Sequence, residues 1–313
     1  NQDENMKLDA IVGNPPYQEL DGGGAGTSAV PVYNKFWSIA KEIKPCYNSM
    51  IMPARWYAGG KGLDDFRTDM LKDKRLKVLV DFPESRECFP SADIAGGICY
   101  ILWDKRYNGD CQVTTVKEGH RSTFVRDLSE FDTFVRQAEA INILHRVTSK
   151  HEDTLNNHVY SRKPFGLDNN YVGKQSPFED SITLFGSQGI SYVRREEITQ
   201  NQDAIGKWKV IVSKASAQGG RADKEGKRKV LPKAEILSPN SACTESYLLI
   251  SCFRNEQEAK NALSYVKSSF FRFLLSLKVI TQNIAKESFS FVPLQDFTRP
   301  WTDADLYAKY GLT

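Results

Sequence analysis

Leu8-Asp9-Ala10-Ile11-Val12-Gly13-Asn14-Pro15-Pro16-Tyr17 decides how the rest of the chain reads. Its first part is mostly apolar and is stopped by a glycine and two prolines that cannot continue a ladder. This predicts a short buried strand over Leu8–Val12. Downstream, Tyr33 to Ile43 has apolar residues at helical spacing, with Tyr33, Phe36, Trp37, Ala40 and Ile43 on one side. Asn48–Met52 reads as a second strand ended by Pro53, Leu63–Leu71 as a helix and Lys77–Phe82 as a third strand. Ile98–Trp103 and Gln112–Val116 read as a hairpin across Tyr107-Asn108-Gly109-Asp110. Strand, helix, strand, helix, strand, hairpin is the order of half a doubly wound α/β sheet with an antiparallel edge.

The sequence has 313 residues, which suggests two domains. Phe131 to His151 reads as a helix, and the polar stretch from Glu152 to Asn170 after it places the expected boundary at 150/151. Beyond it, short strand-like pieces (182–185, 190–193, 209–212, 247–250) and one helix with an apolar stripe from Ala259 to Leu277 predict an α+β domain. Forty per cent hydrophobic and 26% charged residues exclude global disorder. No run of eighteen apolar residues exists, and the first residues lack a basic segment leading into an apolar one. Neither a membrane span nor a secretory leader is expected. The six scattered cysteines form no C-x-x-C pair and there are only four histidines. That predicts reduced thiols in a cytoplasmic protein and no metal site.

Net charge is divided unevenly, −1 over residues 1–150 and +4 over 151–313. Between Lys207 and Lys233, nine basic residues face only Asp223 and Glu225. Such a cluster attracts polyanions, and it is also what a solvated loop looks like.

Asn14-Pro15-Pro16-Tyr17 falls at a strand's carboxyl end, where open α/β sheets bind ligands. The Asn14 carboxamide oxygen and the Pro15 carbonyl can both accept hydrogen bonds from one planar amino group, and the two prolines stiffen the backbone presenting them. Accepting those protons returns the nitrogen lone pair from the ring, so the amine can attack an electrophilic methyl group without a strong base. Tyr17 offers a face for the ring. On these four residues alone, a merely rigid turn also fits.

The tetrapeptide after a strand resembles the catalytic motif of S-adenosylmethionine-dependent amino methyltransferases. Tyr33-Asn34-Lys35-Phe36-Trp37, Met52-Pro53-Ala54-Arg55-Trp56, Phe66-Arg67-Thr68-Asp69-Met70-Leu71 and Cys88-Phe89-Pro90 leading to Gly96-Gly97-Ile98-Cys99-Tyr100 follow in order. That succession resembles adenine-specific DNA methyltransferases of type II and type IIG restriction-modification systems. The resemblance implies a Rossmann-like methyltransferase sheet with a C-terminal target recognition domain, methylation of adenine N6 in duplex DNA by base flipping, and S-adenosylmethionine as cofactor. It implies catalytic roles for Asn14, Pro15, Pro16 and Tyr17, with Phe89 stacking on the other face of the flipped base. Thr281-Gln282, Phe289-Ser290-Phe291-Val292-Pro293, Trp301-Thr302-Asp303 and Leu306-Tyr307 extend the resemblance to the end of the chain. Under it, Lys207, Lys209, Lys214, Arg221, Lys224, Lys227, Arg228 and Lys229 become candidates for DNA contact, Arg221 for a guanine edge.

The family's glycine-rich cofactor loop is not found, so no cofactor-binding residue is assigned. Gly22-Gly23-Gly24-Ala25-Gly26 follows the motif and does not join a strand to a helix, and Phe185-Gly186-Ser187-Gln188-Gly189 has the wrong spacing. The cofactor half is therefore expected in an upstream segment or a partner chain. Two other readings stay open: a non-catalytic DNA-binding fragment, and a protein glutamine N5 methyltransferase, which would end soon after Val116.

Overall fold

The computed structural model describes residues 8–20, 29–60, 62–215, 229–231, 233–279 and 283–312. The chain forms two compact units, 1–138 and 139–313. The division falls at Ala138/Glu139 rather than at 150/151, because the helix expected over Phe131–His151 is only Glu139–Thr148 and belongs to the second unit.

The first unit contains β1 (Ala10–Gly13), β2 (Gln18–Leu20), β3 (Ala29–Pro31), α1 (Tyr33–Glu42), β4 (Tyr47–Pro53), α2 (Asp64–Lys72), β5 (Leu76–Phe82), β6 (Ile98–Asp104), β7 (Cys111–Lys117) and β8 (His120–Arg126). Six strands make one mixed sheet in the order β1-β4-β6-β5-β7-β8. β1, β4, β5 and β7 run one way, while β6 runs against β4 and β5, and β8 against β7. The antiparallel edge hairpin is present, but it is β7–β8. β6 and β7 do not pair as expected, because β5 lies between them.

β1 is an outer strand with β4 as its one neighbour among the described residues. Val12 is 80% exposed, an unusual cost for a β-branched side chain. α1 buries Tyr33, Trp37 and Ala40 but leaves Phe36, Ile39 and Ile43 exposed, so only part of the expected apolar stripe is covered. Trp56, just after β4, is fully buried with Tyr57 edge-on at 4.9 Å and Phe66 at 5.9 Å. Truncating such a ring costs about 3–5 kcal/mol.

The second unit begins with α3 (Glu139–Thr148). β9 (Ile182–Gly186), β10 (Gly189–Val193) and β13 (Ser241–Cys243) form one three-stranded sheet, and β11 (Trp208–Ser213), β12 (Ala234–Leu237) and β14 (Tyr247–Phe253) another. Gly186-Ser187-Gln188-Gly189 is the turn of the β9–β10 hairpin. The long helix expected from Ala259 is two, α4 (Glu256–Lys267) and α5 (Ser269–Ser276). Ser268 breaks it: its backbone is extended, and its hydroxyl caps α5 by accepting from the Phe271 amide at 3.1 Å. α6 (Asp303–Tyr310) closes the chain on a Thr302 cap and Gly311 in the left-handed conformation. Among the described residues no helix is long and apolar enough to cross a membrane.

Candidate active site

Because β1, β4 and β5 run the same way, their carboxyl ends open on one edge of the sheet. Asn14-Pro15-Pro16-Tyr17 leaves β1 there, and the connection from Pro83 to Gly97 leaves β5 there. Asn14 is exposed, Pro15 is buried and Tyr17 is half-buried. The Tyr17 carbonyl accepts the Val32 amide at 3.2 Å, tying the end of the motif to the start of α1. Burial, then the neighbouring thiols of Cys88 and Cys99, push the Tyr17 phenol up from its ordinary value, so it stays neutral at physiological pH.

Phe89 comes from the β5–β6 connection. It packs from the side on the small core of Val80, Phe82, Ile98 and Val116, which leaves it half-buried rather than enclosed. The structure brings it to the motif: Asn14, Pro15, Pro16, Tyr17 and Gln18 line a cleft of about 640 Å³ together with Phe89, Ser91, Ala92 and Ile94. That volume lies within the usual range for small-molecule sites. Gln18, Ser91, Ala92 and Ile94 escape sequence reasoning. Ordinary residues in an irregular connection carry no periodic signal, although the distance from Phe89 to Gly96-Gly97 marks how far that connection runs.

The wall bearing Phe89 is well fixed. Ser85, itself buried, donates from its hydroxyl to the Ala92 carbonyl at 2.9 Å and accepts the Ile94 amide at 2.9 Å. Gly97 has φ +80°, and a Cβ there would meet the Phe82 carbonyl oxygen at 2.2 Å and that of Pro83 at 2.7 Å. Only glycine fits this approach.

The basic candidates fare differently. Lys209 is not a DNA contact: it is fully buried, and Nζ donates to the carbonyls of Ala204, Ile205 and Lys207 at 3.0, 3.1 and 2.7 Å. It sits in the buried strand β11, where side chains cannot reach a phosphate. Lys207 is surface-exposed and paired with Asp203 at 2.8 Å. Lys214 lies 2.6 Å from the buried carboxylate of Glu245, which Arg162 also engages at 2.6 Å. Lys229 is exposed, while Arg221, Lys224, Lys227 and Arg228 lie outside the described residues.

Among the described residues the glycine-rich cofactor loop that the resemblance implies is not found. None of their strands runs into a helix through a glycine-rich turn, and Gly22–Gly26 lies outside them. Nor do they contain a group of three metal-ligating side chains.

A family model described as Eco57I restriction-modification methylase matches residues 1–89. Residues 1–89 are thus similar to an Eco57I-type methylase. That segment contains the whole motif loop and ends on Phe89, so the motif and Phe89 both come from it. An uncharacterized adenine-specific methylase of Mycoplasma pneumoniae is 38% identical over 112 residues, 35% of this chain and 26% of that protein. The match thus spans about a quarter of that relative's length. The type IIL restriction-modification enzyme MmeI, solved in complex with DNA, aligns over 90% of this chain and 46% of its own, at 9% identity and a TM-score of 0.50. At that identity the likeness is one of fold, a mixed α/β architecture shared with restriction-modification enzymes. The resemblance to adenine-specific restriction-modification methylases that Asn14–Tyr17 and the later motifs suggest is borne out.

Proposed function

We propose that this chain carries the base-holding and DNA-reading part of an S-adenosylmethionine-dependent adenine N6 methyltransferase of a restriction-modification system. One observation carries the reading: Asn14–Tyr17 and Phe89, far apart in sequence, line one cleft at the carboxyl edge of the sheet. In it the adenine amino group donates to the Asn14 Oδ1 and the Pro15 carbonyl, and the ring lies between Tyr17 and Phe89. Flipping a base costs a few kcal/mol, and an aromatic stack returns about 1–3 kcal/mol. The second unit supplies duplex contacts, with the exposed members of the basic cluster as candidates.

The cofactor half comes from another segment or chain that extends the sheet along β1. Among the described residues β1 has no neighbour on its outer edge, and this, with exposed Val12, Phe36, Ile39 and Ile43, supports the reading. The test is to supply the adjoining upstream coding region and measure N6-methyladenine in unmethylated genomic DNA. Methylation is expected from the completed protein and not from its Asn14→Ala variant, with duplex affinity retained. Methylation that survives Asn14→Ala removes the assigned role. A completed protein that binds S-adenosylmethionine yet leaves DNA unmethylated favours the non-catalytic reading.

A further inference from the structure

Arg136 stands on the last stretch of the first unit and reaches the wall of the cleft from behind. Its side chain is only 15% exposed. Nη2 donates to the carbonyl of Gly96 at 2.7 Å and to Asp81 Oδ1 at 3.0 Å. Nε lies 2.7 Å from Asp81 Oδ2, close but poorly aligned, so Nη2 carries the directional bonds. Asp81 is fully buried on β5. One planar guanidinium thus joins the floor of the sheet to the far end of the β5–β6 connection.

The arm that presents Arg136 is itself held. Thr133 Oγ1 and the Phe134 amide both donate to the Tyr57 carbonyl, at 2.9 and 2.8 Å. Arg126 Nη2 donates to the Val135 carbonyl at 2.6 Å, and the Phe134 ring lies 4.2 Å from that of Tyr57. Gly96 is next to Gly97, whose carbonyl accepts the Ala54 amide at 3.0 Å and whose amide donates to Ile94 at 2.9 Å. Fixing Gly96 therefore fixes the end of the wall that contains Ile94, and Ser85 passes the constraint on to Ala92. Stacking is strict about ring placement, and a group held in position before binding loses less freedom on binding.

We infer that Arg136, braced by Asp81, is a positioning residue that sets the Phe89 wall of the cleft. This rests on the reading of Phe89 as a base-stacking residue. A lysine at 136 keeps a positive charge opposite Asp81, but its ammonium ends one bond short of Nη2, the atom that meets both Asp81 and Gly96.

The test is a double-mutant cycle in the full chain: wild type, Arg136→Lys, Phe89→Ala and both together. Hydrogen exchange at the Ile94 and Gly97 amides is read with fluorescence of a 2-aminopurine single-stranded oligonucleotide on binding. Exchange in Arg136→Lys is expected to speed up by about tenfold or more, the loss of one charge-assisted hydrogen bond, with β4 and β6 amides unchanged as the check on folding. Stacking quench is expected to fall in Arg136→Lys as it does in Phe89→Ala, and the double variant to be no worse than either. Unchanged exchange at Ile94 and Gly97, or strictly additive losses of quench, overturns the positioning role. If Phe89→Ala leaves the quench intact, the base-stacking reading fails, and the exchange arm alone decides whether Arg136 holds the wall.

Discussion

Lys209→Met separates a structural ammonium from a DNA contact. Lys209 is fully buried, its Nζ surrounded by carbonyls, and burial pushes its pKa down from 10.5 to about 8. A depression of that size means the folded state disfavours the charge by about 3 kcal/mol. Between pH 8 and 10.5 the unfolded chain still binds the proton that the native chain has released, so rising pH favours the native state. Wild type should therefore gain about 3 kcal/mol over Lys209→Met across that window. The buried thiols act in the opposite sense: Cys99, Cys111 and Cys243 are pushed up to about 12 by burial, so the native chain keeps protons the unfolded chain loses above pH 9. They stay protonated in both native proteins over the window and so cancel in the difference, Cys243 included, although the Lys209 charge acts to lower it. Urea unfolding of both proteins from pH 7.5 to 10.5 gives that difference directly, and a salt titration of duplex binding gives the second readout. A stability difference that stays flat over the window, or a shallower salt slope in Lys209→Met, would refute the buried, caged ammonium.

Gly97→Ala should destabilise the first unit by more than about 3 kcal/mol, since a positive φ alone costs about 1–2 kcal/mol and the new Cβ meets two backbone carbonyl oxygens; a urea-unfolding loss under about 1 kcal/mol would show that the Pro83–Gly97 connection yields. Val12→Lys should leave 2-aminopurine quenching intact and weaken assembly with a separately expressed cofactor half by about tenfold or more in a pull-down titration, through the desolvation of one charge; unchanged assembly would mean that β1 is not the joining edge. Replacing Lys227, Arg228 and Lys229 together by alanine should lower the salt slope of duplex binding by up to about one for each phosphate that is no longer neutralised. An unchanged slope makes that run a solvated loop.

What can be read from sequence is what is decided locally. The strand before Asn14 is legible because apolar residues run directly into Gly13 and two prolines, and it lies where expected to within two residues; its expected burial is not found, since as an outer strand it has no buried residue. The pairing of Ile98–Asp104 is not legible. Tyr107-Asn108-Gly109-Asp110 is good turn chemistry, yet β6 finds β4 and β5 through contacts distant in sequence, and no local signal opposes the hairpin. Phe131–Ala138 reads as helix because Phe134 and Val135 sit at apolar positions; they are buried by side chains of the sheet and of Tyr57, with no helical turn needed. Ser268 does carry a signal, a cap residue before a new apolar run, which the continuous stripe from Ala259 to Leu277 conceals. Lys209 misleads for a related reason. Counted within a charge run it is one cation among nine, whereas Trp208-Lys209-Val210-Ile211-Val212 is a buried strand that happens to include a lysine.

The order of strands carries a consequence for how the two halves of the chemistry meet. Neighbouring strands lie about 4.8 Å apart, so a strand added to the open edge of β1 would end directly beside Asn14. The Phe89 wall lies on the other side, because β5, from which it springs, is separated from β1 by β4 and β6. On the proposed reading, a base between Tyr17 and Phe89 would be gripped from the β4–β5 side, with its amino group at Asn14 toward the outer edge of β1. If a further strand joins there as proposed, the motif would lie at the seam, and Val12, Phe36, Ile39 and Ile43, all exposed, are the apolar side chains that the added half would cover.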